Sequence, residues 1–100
     1  MYNIVLLCNL GMSTSLLVSK MQEAADERGI DAKIAAYPIG EVKQRGADAD
    51  CILIGPQVRY AMPQVTSAFP DKPVAAIEMV DYGMVDGQKV LDLALSIIEK

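Results

Sequence analysis

The sequence predicts an α/β protein with a four-stranded parallel sheet in the order 2-1-3-4, doubly wound with helices on both faces. Two nearly continuous apolar runs, Asn3–Cys8 and Asp50–Ile54, are typical of strands that are buried on both faces of a parallel sheet. Segments with helical spacing separate the strands, which favours β-α units joined by right-handed crossovers. Because these two runs are the central strands, the other two strands lie at the edges.

The first half of the chain alternates as this fold requires. The spacing of apolar residues predicts a helix over Ser13–Arg28, and Gly29 can end it in a left-handed conformation. Apolar and polar residues then alternate over Asp31–Tyr37, as expected of an edge strand with one exposed face. We expect Pro38–Arg45 to form a short helix before the second central strand.

In the second half, Pro63 fixes where the next helix begins. Proline is tolerated in a helix only in the first turn, so this helix should start near Ala61. The fourth strand is predicted over Pro73–Glu78, and Met79–Val85 is predicted as a loop. Asp86 is then placed to cap a last amphipathic helix.

Composition limits the classes of function. One hundred residues predict one domain, residues 1–100. The net charge of −4 and the lack of a Lys/Arg cluster disfavour nucleic acid and anionic membranes as partners. Histidine is absent, which removes the commonest catalytic base and zinc ligand, so we expect no metal. The apolar runs are far shorter than the roughly 20 residues of a membrane span. With no signal-peptide pattern at the N-terminus, we expect a cytoplasmic protein.

The residues with functional chemistry lie between the first strand and the first helix. Cys8 ends the strand at the carboxyl edge of the sheet, beside the point where the strand order reverses. Backbone amides and the helix dipole, worth about half a positive charge, can converge there on a phosphate group. We therefore predict that the pKa of Cys8 is lowered and that Cys8 is a nucleophile. The predicted phosphate-binding loop consists of Asn9, Leu10, Gly11, Met12, Ser13, Thr14 and Ser15.

The residues alone leave several functions open. Small cysteine phosphatases have an Arg six positions after the nucleophile, where this chain has Thr14, so the group that grips the transition state is missing. A thiol redox protein is also conceivable, but the chain lacks a Cys-x-x-Cys pair. Cys51 should lie in the core, too far from Cys8 for a disulfide. A module that binds phosphate without covalent chemistry is a further alternative.

One motif resembles a known family. Cys8-x-x-Gly11-Met12-Ser13-Thr14-Ser15 looks like the phosphorylation loop of the enzyme IIB components of the bacterial phosphotransferase system, lactose/cellobiose (chitobiose) class. The resemblance continues at Gly55-Pro56-Gln57 and at Tyr82-Gly83-x-x-Asp86-Gly87. It implies that Cys8 takes a phosphoryl group from a phosphohistidine of the IIA protein. The phosphocysteine would then phosphorylate a β-linked disaccharide bound by the membrane transporter IIC, at the inner face of the membrane. No cofactor is implied, and the sequence does not name the sugar.

Three further residues are candidates for the rim of this site or for contacts with a partner. Gln57 follows the third strand, and Tyr82 and Gly83 follow the fourth. All three are therefore expected at the same carboxyl edge of the sheet as Cys8. Arg59 and Asp81 are interpreted as exposed side chains. Met12 is expected at an apolar rim that suits a transient protein interface.

Overall fold

The computed structural model describes residues 2–9 and 12–99. Its strands form a single parallel sheet in the order β2-β1-β3-β4, which confirms the predicted fold class. The two apolar runs are the central strands, and all five residues from Ile4 to Cys8 are buried. The strands are β1 (Tyr2–Cys8), β2 (Ala32–Pro38), β3 (Cys51–Ile54) and β4 (Val74–Ala76).

The helices begin and end at residues that the sequence singled out. Gly29, just after the first helix, has a φ of +68°, a conformation that glycine adopts without strain. Pro63 lies in the first turn of the third helix, and Asp86 caps the last one by accepting a hydrogen bond from the N–H of Lys89 at 3.1 Å. In the described parts of the chain, no helix has both the length and the apolar character needed to cross a membrane. The helices are α1 (Met12–Glu27), α2 (Val42–Arg45), α3 (Met62–Ala68), α4 (Met79–Gly83) and α5 (Gly87–Ile98).

The core has two layers, one on each face of the sheet. Helices α1 and α5 cover one face through residues such as Leu17 and Leu91, and the segments around α2 and α3 cover the other through Val42 and Val65. Burying each of these aliphatic side chains contributes about 2 kcal/mol. Gly87 sets the distance between α1 and α5, because a Cβ there would lie 2.5 Å from the carbonyl carbon of Lys20.

Three local predictions were wrong. Met79–Val85, predicted as a loop, contains helix α4, because burial of Tyr82 anchors a turn that the backbone closes from Tyr82 N–H to Glu78 O at 3.0 Å. Pro38 ends β2 rather than beginning a helix, since it pairs in register with Cys8. The fourth strand is only three residues long. A 3-10 segment over Pro56–Ala61 was not predicted.

Candidate functional site around Cys8

Cys8 lies at the carboxyl end of the central strand β1, with its side chain buried. The chain leaving β3 packs directly against it. The N–H of Gly55 donates to the carbonyl of Leu7 at 2.9 Å, and a Cβ on Gly55 would lie 3.1 Å from the Cβ of Cys8. Asn9 follows in an exposed bend. Gly55, the first residue after β3, therefore packs against the side chain of Cys8.

Thr14 links helices α1 and α4 through a buried hydrogen bond. It lies in the first turn of α1 and is fully buried. Among the described residues, it is the one polar side chain in the buried class. Its hydroxyl forms a hydrogen bond with the hydroxyl of Tyr82 on α4. Sequence reasoning placed Thr14 in the loop but missed this pair.

The electrostatics of Cys8 differ from the expectation. Burial raises the pKa of the Cys8 thiol above its ordinary value, and the hydrogen bond from Thr14 opposes this with a smaller effect. The predicted lowering of the pKa is therefore wrong for this structure, because removing the sulfur from water disfavours the thiolate more than Thr14 favours it. The raised pKa favours the protonated thiol over the thiolate.

A groove of about 310 Å³ lies at the same edge of the sheet, lined by Pro56, Gln57, Met79, Tyr82 and Gly83. The Oε1 of Gln57 reaches to 3.0 Å from the position of a Cβ on Gly55, the residue that packs on Cys8. Gln57 and Gly83 are exposed, whereas Tyr82 is buried with only 8% of its surface accessible. The structure thus brings the three candidate rim residues together, with Tyr82 underneath the rim.

Several exposed apolar side chains lie on α1, on α4 and just after α4. Leu16 is half exposed, and Met79 and Met84 are 74% and 75% exposed. Val80 is exposed to a similar degree. We call Leu16, Met79, Val80 and Met84 the apolar patch. Large apolar side chains at this exposure are typical of a surface that contacts another protein.

The other residues predicted for the site differ in exposure, and some lie outside the described residues. Ser15 is exposed on α1, and Arg59 is exposed as expected, whereas Asp81 is half buried. Leu10 and Gly11, and the side chains of Met12 and Ser13, lie outside the described residues. Their predicted roles in the phosphate-binding loop stay predictions.

The second cysteine has a different environment. Cys51 is fully buried in the core beneath α1 and α5, and both cysteines are free thiols. It pairs in register with Ile4, four residues before Cys8. Burial, and then the negative charge of Asp50, raise the pKa of Cys51 to about 12. These observations confirm that Cys51 is a core residue.

A larger cavity of about 430 Å³ lies elsewhere, between α1 and the start of α5. Its charged lining includes Lys20, Glu23 and Glu27 but no cysteine. Met84 of the apolar patch also lines this cavity. The candidate site is placed at Cys8 because the nucleophile and the groove lined by Gln57, Tyr82 and Gly83 lie at the same edge of the sheet.

A sequence model of the family described as "PTS system, Lactose/Cellobiose specific IIB subunit" matches residues 3–93. The chain is 40% identical over 100 residues to the oligo-beta-mannoside-specific EIIB component of Bacillus subtilis (strain 168), covering 98% of this chain and 97% of the relative. It is 43% identical over 98 residues to the galactose-specific EIIB component of Lactococcus lactis subsp. cremoris, covering 91% of each.

Solved structures agree on the fold. The cellobiose-specific IIB component from Borrelia burgdorferi superposes with a TM-score of 0.82 at 33% identity, covering 98% of this chain and 92% of that one. The lactose-specific IIB domain from Streptococcus pneumoniae gives a TM-score of 0.84 at 17% identity, with 96% of each chain covered. At that low identity the second likeness concerns the fold alone.

Proposed function

The chain belongs to the lactose/cellobiose-specific IIB family of the sugar phosphotransferase system, and from that premise we propose that Cys8 is the residue that carries the phosphoryl group. The IIB components are phosphotransferase components of sugar transport. In the proposed relay, Cys8 receives the phosphoryl group from a phosphohistidine of IIA. It then passes the group to a sugar, in our proposal a β-linked disaccharide, that the membrane transporter IIC holds.

The position of Thr14 is the observation that best supports a carrier over a phosphatase. Thr14 stands where a cysteine phosphatase of this loop length has its Arg, and its hydroxyl is hydrogen-bonded to Tyr82. A neutral hydroxyl does not supply the bidentate, charged contact that stabilises the transition state of hydrolysis. The phosphocysteine would therefore persist long enough to meet its acceptor.

Because burial raises the pKa of Cys8, phosphoryl transfer to its sulfur needs a group that accepts the thiol proton. The sulfur of Cys8 attacks the phosphorus of phosphohistidine, the S–P bond forms, and the P–N bond breaks. The electron pair of the P–N bond stays on the departing imidazole nitrogen, which accepts the thiol proton. This chain has no histidine of its own, so the imidazole of the donor serves both as leaving group and as proton acceptor.

The apolar patch supports docking by other proteins at this edge. Leu16 lies one turn into α1 from the Cys8 loop, and Met79, Val80 and Met84 lie in or next to α4. An apolar surface close to the nucleophile can exclude water while the phosphoryl group moves between proteins. We propose that IIA and IIC use this patch in turn, with Gln57 and Gly83 at its border.

Transfer from phosphorylated IIA tests the proposal directly. The purified protein, mixed with phosphorylated IIA at neutral pH, should gain one phosphate by intact mass, located on Cys8 by peptide mapping. Cys8→Ser should gain none, because an alkoxide is much harder to form than a thiolate at this pH. Cys51→Ala, which keeps the core apolar, should gain it as the wild type does.

Phosphate on the Cys8→Ser protein, or its loss in Cys51→Ala at unchanged fold, would contradict the assignment. Sustained hydrolysis of an aryl phosphate by the wild type would instead support the phosphatase alternative. The relatives named above carry different sugars in their names, so the sugar must be identified with the matching IIC.

A further inference from the structure

The methionines of this chain differ widely in exposure. Met21 is fully buried in the core, whereas Met79 and Met84 are 74% and 75% exposed. Met79 begins the short helix α4 and Met84 follows its last residue, so the two thioethers flank one element. A thioether is oxidised without first losing a proton, so its susceptibility depends on how easily the oxidant reaches the sulfur. We therefore expect an oxidant in solution to reach Met79 and Met84 long before Met21.

The two exposed methionines lie in different surroundings. Met79 lines the groove of about 310 Å³ together with Gln57, and Gln57 approaches Gly55, the residue that packs on Cys8. Met84 instead lines the cavity of about 430 Å³ between α1 and the start of α5. Met84 therefore provides a comparison of equal exposure away from the groove.

We propose that Met79 is a redox-sensitive modification site, at which a hydroperoxide forms methionine sulfoxide and thereby slows the acceptance of phosphate by Cys8 from IIA. The sulfur of Met79 attacks the terminal oxygen of the hydroperoxide. The S–O bond forms, the O–O bond breaks, and the electron pair of the O–O bond leaves on the second oxygen. That oxygen takes the proton of the transferred oxygen and departs as water or an alcohol. The sulfur is oxidised by two electrons, and the peroxide is reduced by two.

The sulfoxide changes the chemistry of the groove. It places a polar oxygen, which accepts hydrogen bonds, where the thioether presents an apolar surface. Burying this oxygen under a partner protein costs free energy unless a donor meets it. Of the two exposed methionines, Met79 lies at the groove, so its sulfoxide has the larger effect. This effect rests on the proposed function, because it requires IIA to dock at this edge of the sheet, whereas the oxidation of Met79 does not.

The nucleophile is protected from the same oxidant. Cys8 is only 2% exposed, and burial raises its pKa, so little of the thiolate that peroxides attack is present. A sulfenic acid or disulfide at Cys8 is reversed by dithiothreitol, whereas methionine sulfoxide is reversed by methionine sulfoxide reductases. Oxidation of Cys8 and oxidation of Met79 can therefore be distinguished in one sample.

The test treats the purified protein with tert-butyl hydroperoxide at pH 7 and then with dithiothreitol, and peptide mass spectrometry follows each methionine. Met79 and Met84 should be oxidised at rates within about threefold of each other and at least about tenfold faster than Met21, which must first be uncovered by unfolding. The initial rate of phosphoryl acceptance, measured below saturation with phosphorylated IIA, should fall about fivefold or more. Methionine sulfoxide reductases A and B should restore this rate.

Two matched variants assign the loss to one sulfur. Leucine is close to methionine in apolar volume and has no sulfur to oxidise. The quantity compared is the ratio of the acceptance rates after and before treatment, taken within each variant. This ratio should be near one in Met79→Leu, whereas in Met84→Leu it should be as low as in the wild type.

Three results would overturn the proposal. They are oxidation of Met79 no faster than that of Met21, an unchanged acceptance rate in protein with fully oxidised Met79, and an equal loss in Met79→Leu and the wild type. Failure of the proposed function has a separate signature, because the untreated wild type would then accept no phosphate from IIA. In that case the effect on acceptance fails with it, and the peptide map alone decides whether Met79 is the preferred site of oxidation.

Discussion

The two cysteines lie in neighbouring strands of one sheet, yet their surroundings give them different chemistry. Cys51 is the first residue of the central strand β3, where burial and then the charge of Asp50 raise its pKa to about 12. Cys8 lies at the strand end, where Thr14 partly offsets the effect of burial on its pKa. Both are almost completely buried, so exposure alone does not distinguish a nucleophile from a core residue.

The two cysteines differ in where their side chains lie in the fold. Cys51 is covered by helices α1 and α5, which cannot move aside without unfolding. Cys8 is the last residue of its strand and is followed by the exposed Asn9, at the edge of the sheet where the groove lies. A buried thiol beside a loop can be uncovered locally at small free-energy change, whereas a thiol under the core helices requires global opening.

The largest expected effect is the ratio of the two alkylation rates in the native protein. At pH 8, iodoacetamide should modify Cys8 at least about 10³-fold faster than Cys51. The reason is that reaction at Cys51 needs both thiolate formation and global opening, and global opening alone represents several kcal/mol. Peptide mass spectrometry over time measures both rates in one sample.

Unfolding in urea provides the control for that ratio, because the two rates should then approach each other. A native ratio near one would mean that the two thiols are uncovered by the same motion, and the contrast between edge and core would be wrong.

A second prediction concerns alkaline pH. The pKa of Cys51 is raised in the folded state from an ordinary 9.0 to about 12. Its contribution to stability is fully present below pH 9 and is lost as pH rises toward 12, because the unfolded chain releases the proton first. Over this interval the free energy of unfolding should fall by about 1.4 kcal/mol per pH unit from Cys51.

Urea unfolding at pH 8 and pH 10.5 measures this dependence. Cys51→Ala should remove it, while contributions from lysines and tyrosines remain the same in both proteins. Cys8→Ala should weaken the dependence much less. Equal pH dependence in the wild type and Cys51→Ala would contradict the burial of a neutral Cys51 thiol.

The sheet could be predicted from the sequence because its signals are local and redundant. The apolar runs of β1 and β3 mark central strands wherever they occur, and the order of the four strands follows from them. Helix α4 could not be predicted, since Tyr82-Gly83 is typical of a turn by composition. What stabilises α4 is the burial of Tyr82, a tertiary effect that local propensity does not contain.

The site was predictable in part for the same reason. The position of Cys8 at the end of β1 and of Thr14 in α1 follows from local pattern and topology. The pairing of Thr14 with Tyr82 joins residues 68 positions apart, and no spacing rule connects them. The pKa of Cys8 was predicted in the wrong direction because the sequence indicated the helix dipole but not the depth of burial.

The smallest expected effect is the difference between two Cys→Ser substitutions. Cys51→Ser places a hydroxyl among Ile4, Leu53 and other apolar residues and should lower the free energy of unfolding by about 2 kcal/mol. Cys8→Ser should lower it by less than about 1 kcal/mol, because the side chain of Thr14, which acts on the pKa of Cys8, can serve the new hydroxyl as a hydrogen-bond partner. Urea denaturation at pH 7 compares the two variants with the wild type.

If Cys8→Ser were the more destabilised protein, Thr14 would not be available to position 8. A loss of phosphoryl acceptance in that variant would then reflect misfolding. If Cys8→Ser is nearly as stable as the wild type, as expected, its loss of phosphoryl acceptance is caused by the missing sulfur and not by misfolding.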